Sequence, residues 1–389
     1  MAGIMRAISL TSAATDTHHR DVLLEHAAAA GSVASLFGDA SERLARLVAH
    51  DAALWIATDP TTGLPAAPTL ARNVVHADPS RCVDFWQLEF LTDDVNLFRD
   101  LIRADTPAAG LRASTRDRPA RSARYNVLLR PLGTGDELRA VLRAGGSPWA
   151  YLVLWRDEGR PAFDAREIEL VAGLSRSLAE ALRSQAQTPA RAPIATAGQQ
   201  PGLMLFAADN ELISTNDAAR VWLDEMRADF APEGASGVRL PNVVVATLMR
   251  ARALAQRREG GIARARLRSG TGQWLVFHAS CLHEADGTLG HTALVIEPAT
   301  ASEIAPIIVQ AYELTPREQQ VTQLIAQGAG TAEIAARLYL SAHTVRDHVK
   351  AIFEKVGVSS RGELVAKLFA EHYAPVHVDP SNVEAIHAS

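Results

Sequence analysis

The sequence predicts a multidomain protein in which two α+β domains are followed by an all-α domain of four short helices. Three observations lead to this prediction. The chain has 389 residues, more than one hydrophobic core usually organises. Residues 188–202 are rich in proline and glycine and lack an apolar period, which is typical of a linker. After residues 297–303 the pattern becomes helical as far as residue 373.

The bulk composition is that of a globular protein, with 48% apolar and 21% charged residues. A formal net charge of −5 argues against a protein that coats nucleic acid through charge alone, but it permits a local DNA-binding face. Two cysteines, Cys82 and Cys281, are too few for a disulfide framework. Since neither a signal peptide nor a long apolar segment is evident, we expect a cytoplasmic protein without a membrane partner.

The first predicted domain covers residues 1–187. Its expected elements are a helix over 36–51, strands over 124–132 and 149–155, and an amphipathic helix over 164–184 that begins at Asp164. Both faces of 149–155 are apolar, so this strand should be central and covered on two sides. The order of elements resembles a GAF-type sensory domain. The aromatic residues of 149–155 could line a ligand cavity or belong to an ordinary core.

The second predicted domain covers residues 203–298, after the linker at 188–202. It should open with a strand, a turn at Asp209 and Asn210, a second strand, and a helix that starts near Asn216 or Asp217. Residues 271–298 should form a β-hairpin. This order resembles a PAS-type sensory domain.

Four possible metal ligands lie close together in the predicted hairpin: His278, Cys281, His283 and His291. A two-residue turn at Asp286 and Gly287 would pair Ala285 with Thr288. His291 would then face the opposite side of the hairpin from Cys281 and His283. We therefore expect no metal site here, and the sequence indicates no cofactor elsewhere.

The third predicted domain covers residues 312–374, between a connecting segment at 299–311 and a tail at 375–389. Its first helix should begin at Thr315 with a capping box and end near Gly328. A second helix is expected over 331–338. The third should run from Ser341 to Gly357, and a fourth should follow from Ser360. Two helices joined by a tight turn are typical of a helix-turn-helix unit.

The third helix has one apolar face and one charged face. Its apolar residues recur at helical spacing: Val345, Val349, Ile352, Phe353 and Val356. The opposite face carries His343, Arg346, Asp347, Lys350 and Glu354. The four stretches LTPREQQV, TAEIAARL, LSAHTVRDHVKAIFEKVGV and SSRGELVAKL together resemble the LuxR-type DNA-binding domain over about residues 310–374.

The resemblance implies roles for particular residues. Arg346, Asp347 and Lys350 match the positions from which the family's recognition helix reaches base edges and nearby phosphates. Thr331, Ser341 and Thr344 match the part of the motif, between Thr331 and Lys350, that approaches the DNA backbone. In the family the fourth helix supplies a dimer interface, which here would comprise Leu364, Val365, Leu368 and Phe369.

The charge balance of this domain is neutral, since basic and acidic residues are equal in number between residues 312 and 373. Non-specific affinity for DNA should therefore be modest, and a dimer would compensate by doubling the contacts. We expect a homodimer on a roughly palindromic site in double-stranded DNA, with half-sites about one helical turn apart.

The function that the sequence favours is a transcription regulator whose sensory domains respond to a small molecule or a protein partner, with RNA polymerase as a further possible partner. An enzyme is the first alternative, but the chain has no P-loop, dinucleotide turn, Gly-x-Ser-x-Gly or His-Glu-x-x-His motif, and no catalytic residue is assigned. A signalling scaffold that does not bind DNA is the second alternative, which the neutral charge balance leaves open.

Overall fold

The computed structural model describes residues 17–74, 79–187, 200–226, 240–269, 272–312, 314–365 and 367. Two antiparallel sheets, each flanked by helices, precede a C-terminal group of short helices. The predicted linker lies mostly outside the described residues, and the predicted tail lies wholly outside them.

The first sheet has the strand order β2-β1-β5-β4-β3. The elements of this part are α1 (17–29), α2 (Val33–Leu47), β1 (Ala52–Thr58), β2 (Pro65–Arg72), α3 (Pro79–Leu91), α4 (Phe98–Leu101), β3 (Ala108–Gly110), α5 (Leu111–Thr115), β4 (Thr134–Ala144), β5 (Ser147–Asp157) and α6 (Ala165–Ala186). The predicted central strand is confirmed, because β5 lies between β1 and β4 and is buried on both faces. The predicted start of α6 at Asp164 is also confirmed, and Asp164 forms a capping box with Glu167.

Residues 124–132 form helical turns, so the predicted strand is wrong. The buried residues of this segment, Tyr125, Leu128 and Leu129, follow a helical spacing, whereas Val127 is 51% exposed. Short apolar runs do not distinguish a strand from a buried helical turn. Here the segment is also held by Arg124, which lies under the sheet.

Buried ion pairs fill much of the space between the first sheet and α3. Arg124 Nε lies 2.7 Å from Glu137 Oε2, and Arg139 Nη2 lies 2.8 Å from Glu89 Oε2. None of these four side chains is more than 3% exposed. Burial raises the pKa of the Glu89 carboxyl, although both arginines oppose the shift. The guanidinium of Arg139 also stacks 3.7 Å from the centre of the Phe98 ring.

The second sheet repeats the topology of the first, with the order β7-β6-β10-β9-β8. Its elements are β6 (Gly202–Phe206), β7 (Leu212–Thr215), α7 (Asp217–Glu225), α8 (Asn242–Ala255), β8 (Arg264–Arg268), β9 (Trp274–His283) and β10 (Leu289–Pro298). The predicted strand, turn, strand and helix at its start are confirmed. Asn216 caps α7, since its side chain accepts a hydrogen bond from the N–H of Ala219.

The hairpin of β9 and β10 is confirmed, but its predicted turn is wrong. The N–H of Glu284 bonds to the carbonyl of Thr288, and His283 pairs with Leu289, so the loop is one residue longer than expected. A register shift follows before Thr292, which pairs with Cys281. His291 lies in this irregular stretch, with its Nδ1 3.5 Å from Glu284 Oε1. Within the described ranges, no three potential metal ligands come together.

The two sheet domains contact each other directly. Helix α3 packs on α8, where Trp86 Nε1 donates a hydrogen bond of 3.1 Å to Asn242 Oδ1. An ion pair of 2.9 Å joins Arg99 to Glu259. Apolar side chains from both domains form one continuous core. The contacts between the two domains thus include both an apolar core and polar pairs.

Helix α9 (Ala301–Ala311) leads from the second sheet to the C-terminal helices. Its side chains Ile304 and Ile307 are buried, and the carbonyl of Ala311 accepts a hydrogen bond of 2.6 Å from Gln187, just after α6. Among the described helices, none has the length and apolarity needed to cross a bilayer.

Candidate nucleic-acid interface

The C-terminal helices α10 (Pro316–Ala326), α11 (Thr331–Leu338), α12 (Ala342–Val356) and α13 (Arg361–Val365) enclose a small apolar core. Val321, Ile334, Val345, Ile352 and Leu364 are fully buried in it. Burial of one such side chain contributes about 1.5–3 kcal/mol. Val345 and Ile352 thereby fix which face of α12 turns inward and leave the opposite face exposed. All four predicted helices are thus confirmed, the last one as far as the described residues extend.

Local capping fixes both ends of α12. Ser341 Oγ accepts a hydrogen bond of 3.0 Å from the N–H of Thr344, as the sequence predicted. Gly357 follows the helix in the left-handed region, at φ 67°, where glycine avoids the strain that a Cβ brings. These signals define both ends of α12, which has 15 residues.

A tight turn joins α11 to α12. Tyr339 adopts the left-handed conformation, at φ 54°, and the N–H of Leu340 bonds to the carbonyl of Ala335 at 2.9 Å. The side chain of Tyr339 is 96% exposed. A large aromatic side chain in this position was not singled out from the sequence, because nothing local distinguishes an exposed aromatic residue from a core residue.

The exposed face of α12 carries Arg346, Asp347 and Lys350. Arg346 Nε donates to the carbonyl of Ala342 in its own helix, at 3.2 Å. Lys350 Nζ lies 3.9 Å from Glu354 Oε1, and these side chains are 80% and 68% exposed. Exposed pairs of this kind contribute roughly 0–1 kcal/mol, so an incoming phosphate or base can replace them at small cost.

Thr331, Ser341 and Thr344 lie at the starts of α11 and α12. Thr331 Oγ1 accepts a hydrogen bond of 2.8 Å from Arg361, which also donates to the carbonyl of Ala329. The hydroxyls of Ser341 and Thr344 lie 2.8 Å apart. The structure therefore brings Ser341 and Thr344 together at one helix N-terminus and places Thr331 at another. Helix N-termini of this kind favour anions.

An ion pair ties α12 to α10. Lys355 Nζ lies 2.6 Å from Glu318 Oε2, and only 7% of the Glu318 side chain is exposed. Burial alone would raise the pKa of Glu318, but the bonds from Lys355 and from the capped N-terminus at Thr315 outweigh it and lower the pKa. The sequence indicated Glu318 as part of a capping box, which is confirmed, but it did not indicate Lys355 as its partner.

The residues expected at a dimer interface fall into three groups. Leu364 is fully buried in the core of its own chain, so its side chain is not available to a second copy and the expectation for this residue needs correction. Val365 is half-buried. Leu368 and Phe369 lie outside the described residues. Leu364 was misplaced because an apolar stripe does not say which of its members face the chain's own core.

The arrangement of α10 to α13 and the exposed face of α12 are those of a DNA-binding helix-turn-helix domain. The model of the family described as "Bacterial regulatory proteins, luxR family" matches residues 312–368. Spore germination protein GerE of Bacillus subtilis is 42% identical over 55 residues, which are 14% of this chain and 74% of that protein. The chain belongs to the LuxR family of bacterial regulatory proteins.

Two further comparisons involve proteins of Escherichia coli. Transcriptional regulatory protein UhpA of Escherichia coli is 48% identical over 56 residues, but these are 14% of this chain and 29% of UhpA. The chain thus spans less than a third of UhpA. The crystal structure of Escherichia coli SdiA aligns with 91% of this chain and 98% of its own at 12% identity, with a TM-score of 0.33 that does not establish a common fold.

Proposed function

We propose that this protein is a cytoplasmic, sequence-specific transcription regulator that binds double-stranded DNA as a homodimer. The observation that carries the proposal is the exposed polar face of α12, in a domain of the LuxR family. This face presents hydrogen-bonding groups with few competing partners and is held in place by the core beneath it. Helices of this width fit the major groove of B-DNA.

Three side chains on α12 would read the operator. Arg346 can make a bidentate contact to guanine, Lys350 suits a phosphate or a guanine, and Asp347 can accept a hydrogen bond from cytosine. Their present partners within the protein are weak and exposed, so little free energy is lost when they turn to DNA.

Contacts to the DNA backbone would come from the helix starts. The N-termini of α11 and α12 offer N–H groups and a partial positive charge to phosphates. Ser341 and Thr344 would add hydroxyl donors at one of them and Thr331 at the other. The bond from Arg361 holds the Thr331 hydroxyl in position. Such contacts fix the register of the protein on the duplex without specifying its sequence.

The dimer would form through the fourth helix, with Val365, Leu368 and Phe369 as contacts and Leu364 as the core residue that anchors the helix. Two copies of α12 related by a two-fold axis would enter successive major grooves on one side of the duplex. The neutral charge of the domain makes this doubling necessary, because each copy alone attracts phosphates weakly.

The two sheet domains would act as the sensor, one GAF-like and the other PAS-like, within the boundaries 1–187 and 203–298. Their shared strand order supports a common type of fold. Their joint core and the contacts of α9 provide a physical connection from the sensor to the DNA-binding helices. The input would be a small molecule or a protein partner, and the output would be a change in the occupancy of operators near RNA polymerase.

A selection of genomic fragments tests this proposal against the alternative of a signalling scaffold, which the neutral charge balance leaves open. Sheared DNA is offered to the wild type, to Arg346→Glu/Lys350→Glu, and to Arg176→Glu. Arg176 is 82% exposed on α6 and serves as a matched change of charge. We expect a few palindromic fragments to be enriched by the wild type and by Arg176→Glu but not by the double variant. Equal recovery of all fragments by the three proteins would contradict the proposal.

A further inference from the structure

A cavity of about 620 Å³ lies where the two sheet domains and α9 meet. The first domain contributes residues from α2, β1, β2 and α6, the second contributes β8 and the end of α7, and α9 contributes Ile307. The volume falls within the range of small-molecule sites, roughly 300–1,000 Å³. By contrast, the space under the first sheet holds the ion pairs of Arg124 and Arg139.

Two indoles on the cavity wall have N–H groups without a partner. Trp149 is 5% exposed, and among the described residues neither its Nε1 nor that of Trp274 has a hydrogen-bond partner. Buried donors are nearly always paired in folded proteins, and an unpaired one costs free energy. A ligand with a carbonyl oxygen or a ring nitrogen would satisfy such a donor. The sequence left two interpretations of the aromatic residues in 149–155, a ligand cavity or an ordinary core. In the structure, Trp149 of this strand lines the cavity.

The cavity wall also holds an acceptor. Oxygen Oε2 of Glu225 is buried and, in the part of the chain that the structure describes, has no hydrogen-bond partner. Burial raises the pKa of this carboxyl, which disfavours the isolated charge. An N–H or O–H group on a ligand would satisfy it.

The main charges on the wall compensate each other. Arg266 Nε lies 3.0 Å from Asp59 Oδ2, and both side chains are buried. Arg266 also donates to Thr61 Oγ1 at 2.6 Å and to the carbonyl of Glu303, in α9, at 2.9 Å. Arg266 thus joins β8, the turn after β1 and α9. Arg268 also lines the cavity, with its guanidinium 5.4 Å from the centre of the Trp274 ring. Since Asp59 and Arg266 are already paired, these two side chains do not require a charged ligand.

We propose that this cavity is the effector site, and that it takes a neutral, largely apolar small molecule with a carbonyl or ring-nitrogen acceptor and an N–H or O–H donor. The inference rests on the proposed function, because it names the ligand class and the location of the sensor's input. An occupant contacts both sheet domains and Ile307 of α9 together. Binding therefore stabilises one position of α9, the helix that precedes α10 along the chain.

The test uses three neutral lactams of increasing size, 2-pyridone, 2-quinolinone and phenanthridinone, each with one carbonyl acceptor and one N–H donor. Their binding to the full-length protein is followed by calorimetry and by ligand-observed NMR. The variant Ala186→Phe reduces the cavity, and Ser184→Phe places the same side chain on an exposed position two residues earlier in α6. We expect a fused-ring lactam to bind the wild type and Ser184→Phe equally, and Ala186→Phe at least about tenfold more weakly.

Conservative variants test the polar groups without reducing the cavity. Trp149→Phe removes the N–H and keeps most of the aromatic surface, so we expect the affinity to fall about five- to tenfold. Glu225→Gln keeps the shape of the side chain and should change the preference between lactams and their N-methyl derivatives. No binding by any of the three lactams, or the same affinity in the wild type, Ala186→Phe and Trp149→Phe, would overturn the inference.

A measurement of DNA binding distinguishes a failure of this inference from a failure of the proposed function. The dissociation constant for a selected genomic fragment is measured with and without the bound lactam. If the lactam changes this dissociation constant for the wild type but not for Ala186→Phe, the coupling through α9 is supported. If the lactam leaves the constant of the wild type unchanged, the coupling is overturned. Lactam binding by a protein that selects no DNA would refute the proposed function while leaving the ligand site in place.

Discussion

At the scale of single residues, the first sheet domain contains buried charges that compensate each other. The guanidinium of Arg124 forms ion pairs with two carboxylates. Its Nε lies 2.7 Å from Glu137 Oε2, and its Nη1 lies 3.8 Å from Asp94 Oδ2. All three side chains are 1% exposed or less. Removal of the cation would leave both carboxylates in a medium that solvates them poorly.

We expect Arg124→Met to lower the free energy of unfolding of the sheet domains by about 3–5 kcal/mol. The measurement is urea unfolding followed by tryptophan fluorescence. Arg160→Met is the control, because Arg160 pairs with Asp51 at the surface and is 42% exposed. Equal stability of the two variants would show that the buried cluster does not hold the domain together.

Ser341 has two roles that substitution can separate. Ser341→Ala removes the N-cap and should destabilise α12 by about 0.5–2 kcal/mol, because the N–H of Thr344 loses its acceptor. Ser341→Asp keeps a good cap but places a negative charge where a DNA phosphate would lie. We expect amide exchange in α12 to accelerate only in the alanine variant, and DNA affinity to fall in both. Unchanged DNA affinity in Ser341→Asp would place the backbone contacts elsewhere.

At the scale of elements, local signals predicted most of the C-terminal helices. Caps at Thr315, Ser341 and Gly357 act over a few residues, so a sequence contains all that they need. The segment 124–132 was mistaken because its helical form depends on Arg124 and on carboxylates from other elements. The partner of Glu318 is 37 residues away, and the cavity is lined by residues from both sheet domains and from α9. Such features arise from tertiary packing and have no local signal.

The pair of Glu318 and Lys355 should make the attachment of α12 to α10 dependent on pH. The folded pKa of Glu318 is lowered, so its contribution is complete above the ordinary carboxyl pKa of the unfolded chain and is lost as the pH falls through the folded value. We expect Glu318→Gln to be less stable than the wild type at neutral pH, and the difference to narrow in acid. Amide exchange in α10 and α12 across this range provides the measurement.

Glu333→Gln is the matched control for that series, because Glu333 pairs with Arg337 on the surface of α11 and is 49% exposed. Its stability should follow the wild type at every pH. A difference between wild type and Glu318→Gln that stays constant in acid would show that the carboxyl is not titrating in the pair.

At the scale of the whole molecule, α9 joins the two sheet domains, proposed as the sensor, to a small domain that is proposed to bind DNA as a dimer. Two-fold symmetry sets the spacing of the half-sites, because both copies of α12 must face the same side of the duplex. An insertion of half a helical turn, about five base pairs, between the half-sites should therefore reduce affinity strongly, and a full turn should reduce it less. Equal loss for both insertions would argue for binding as a monomer.

The central claim is that the exposed face of α12 reads DNA sequence. The measurement that tests it most directly is fluorescence anisotropy, at two salt concentrations, with a selected genomic site and a scrambled duplex, for the wild type and Arg346→Ala/Lys350→Ala. The account predicts that the wild type prefers its site, that salt weakens binding, and that the double variant loses at least about tenfold of this preference. The same ratio of affinities for the selected site and the scrambled duplex in both proteins would contradict the claim that α12 reads DNA sequence.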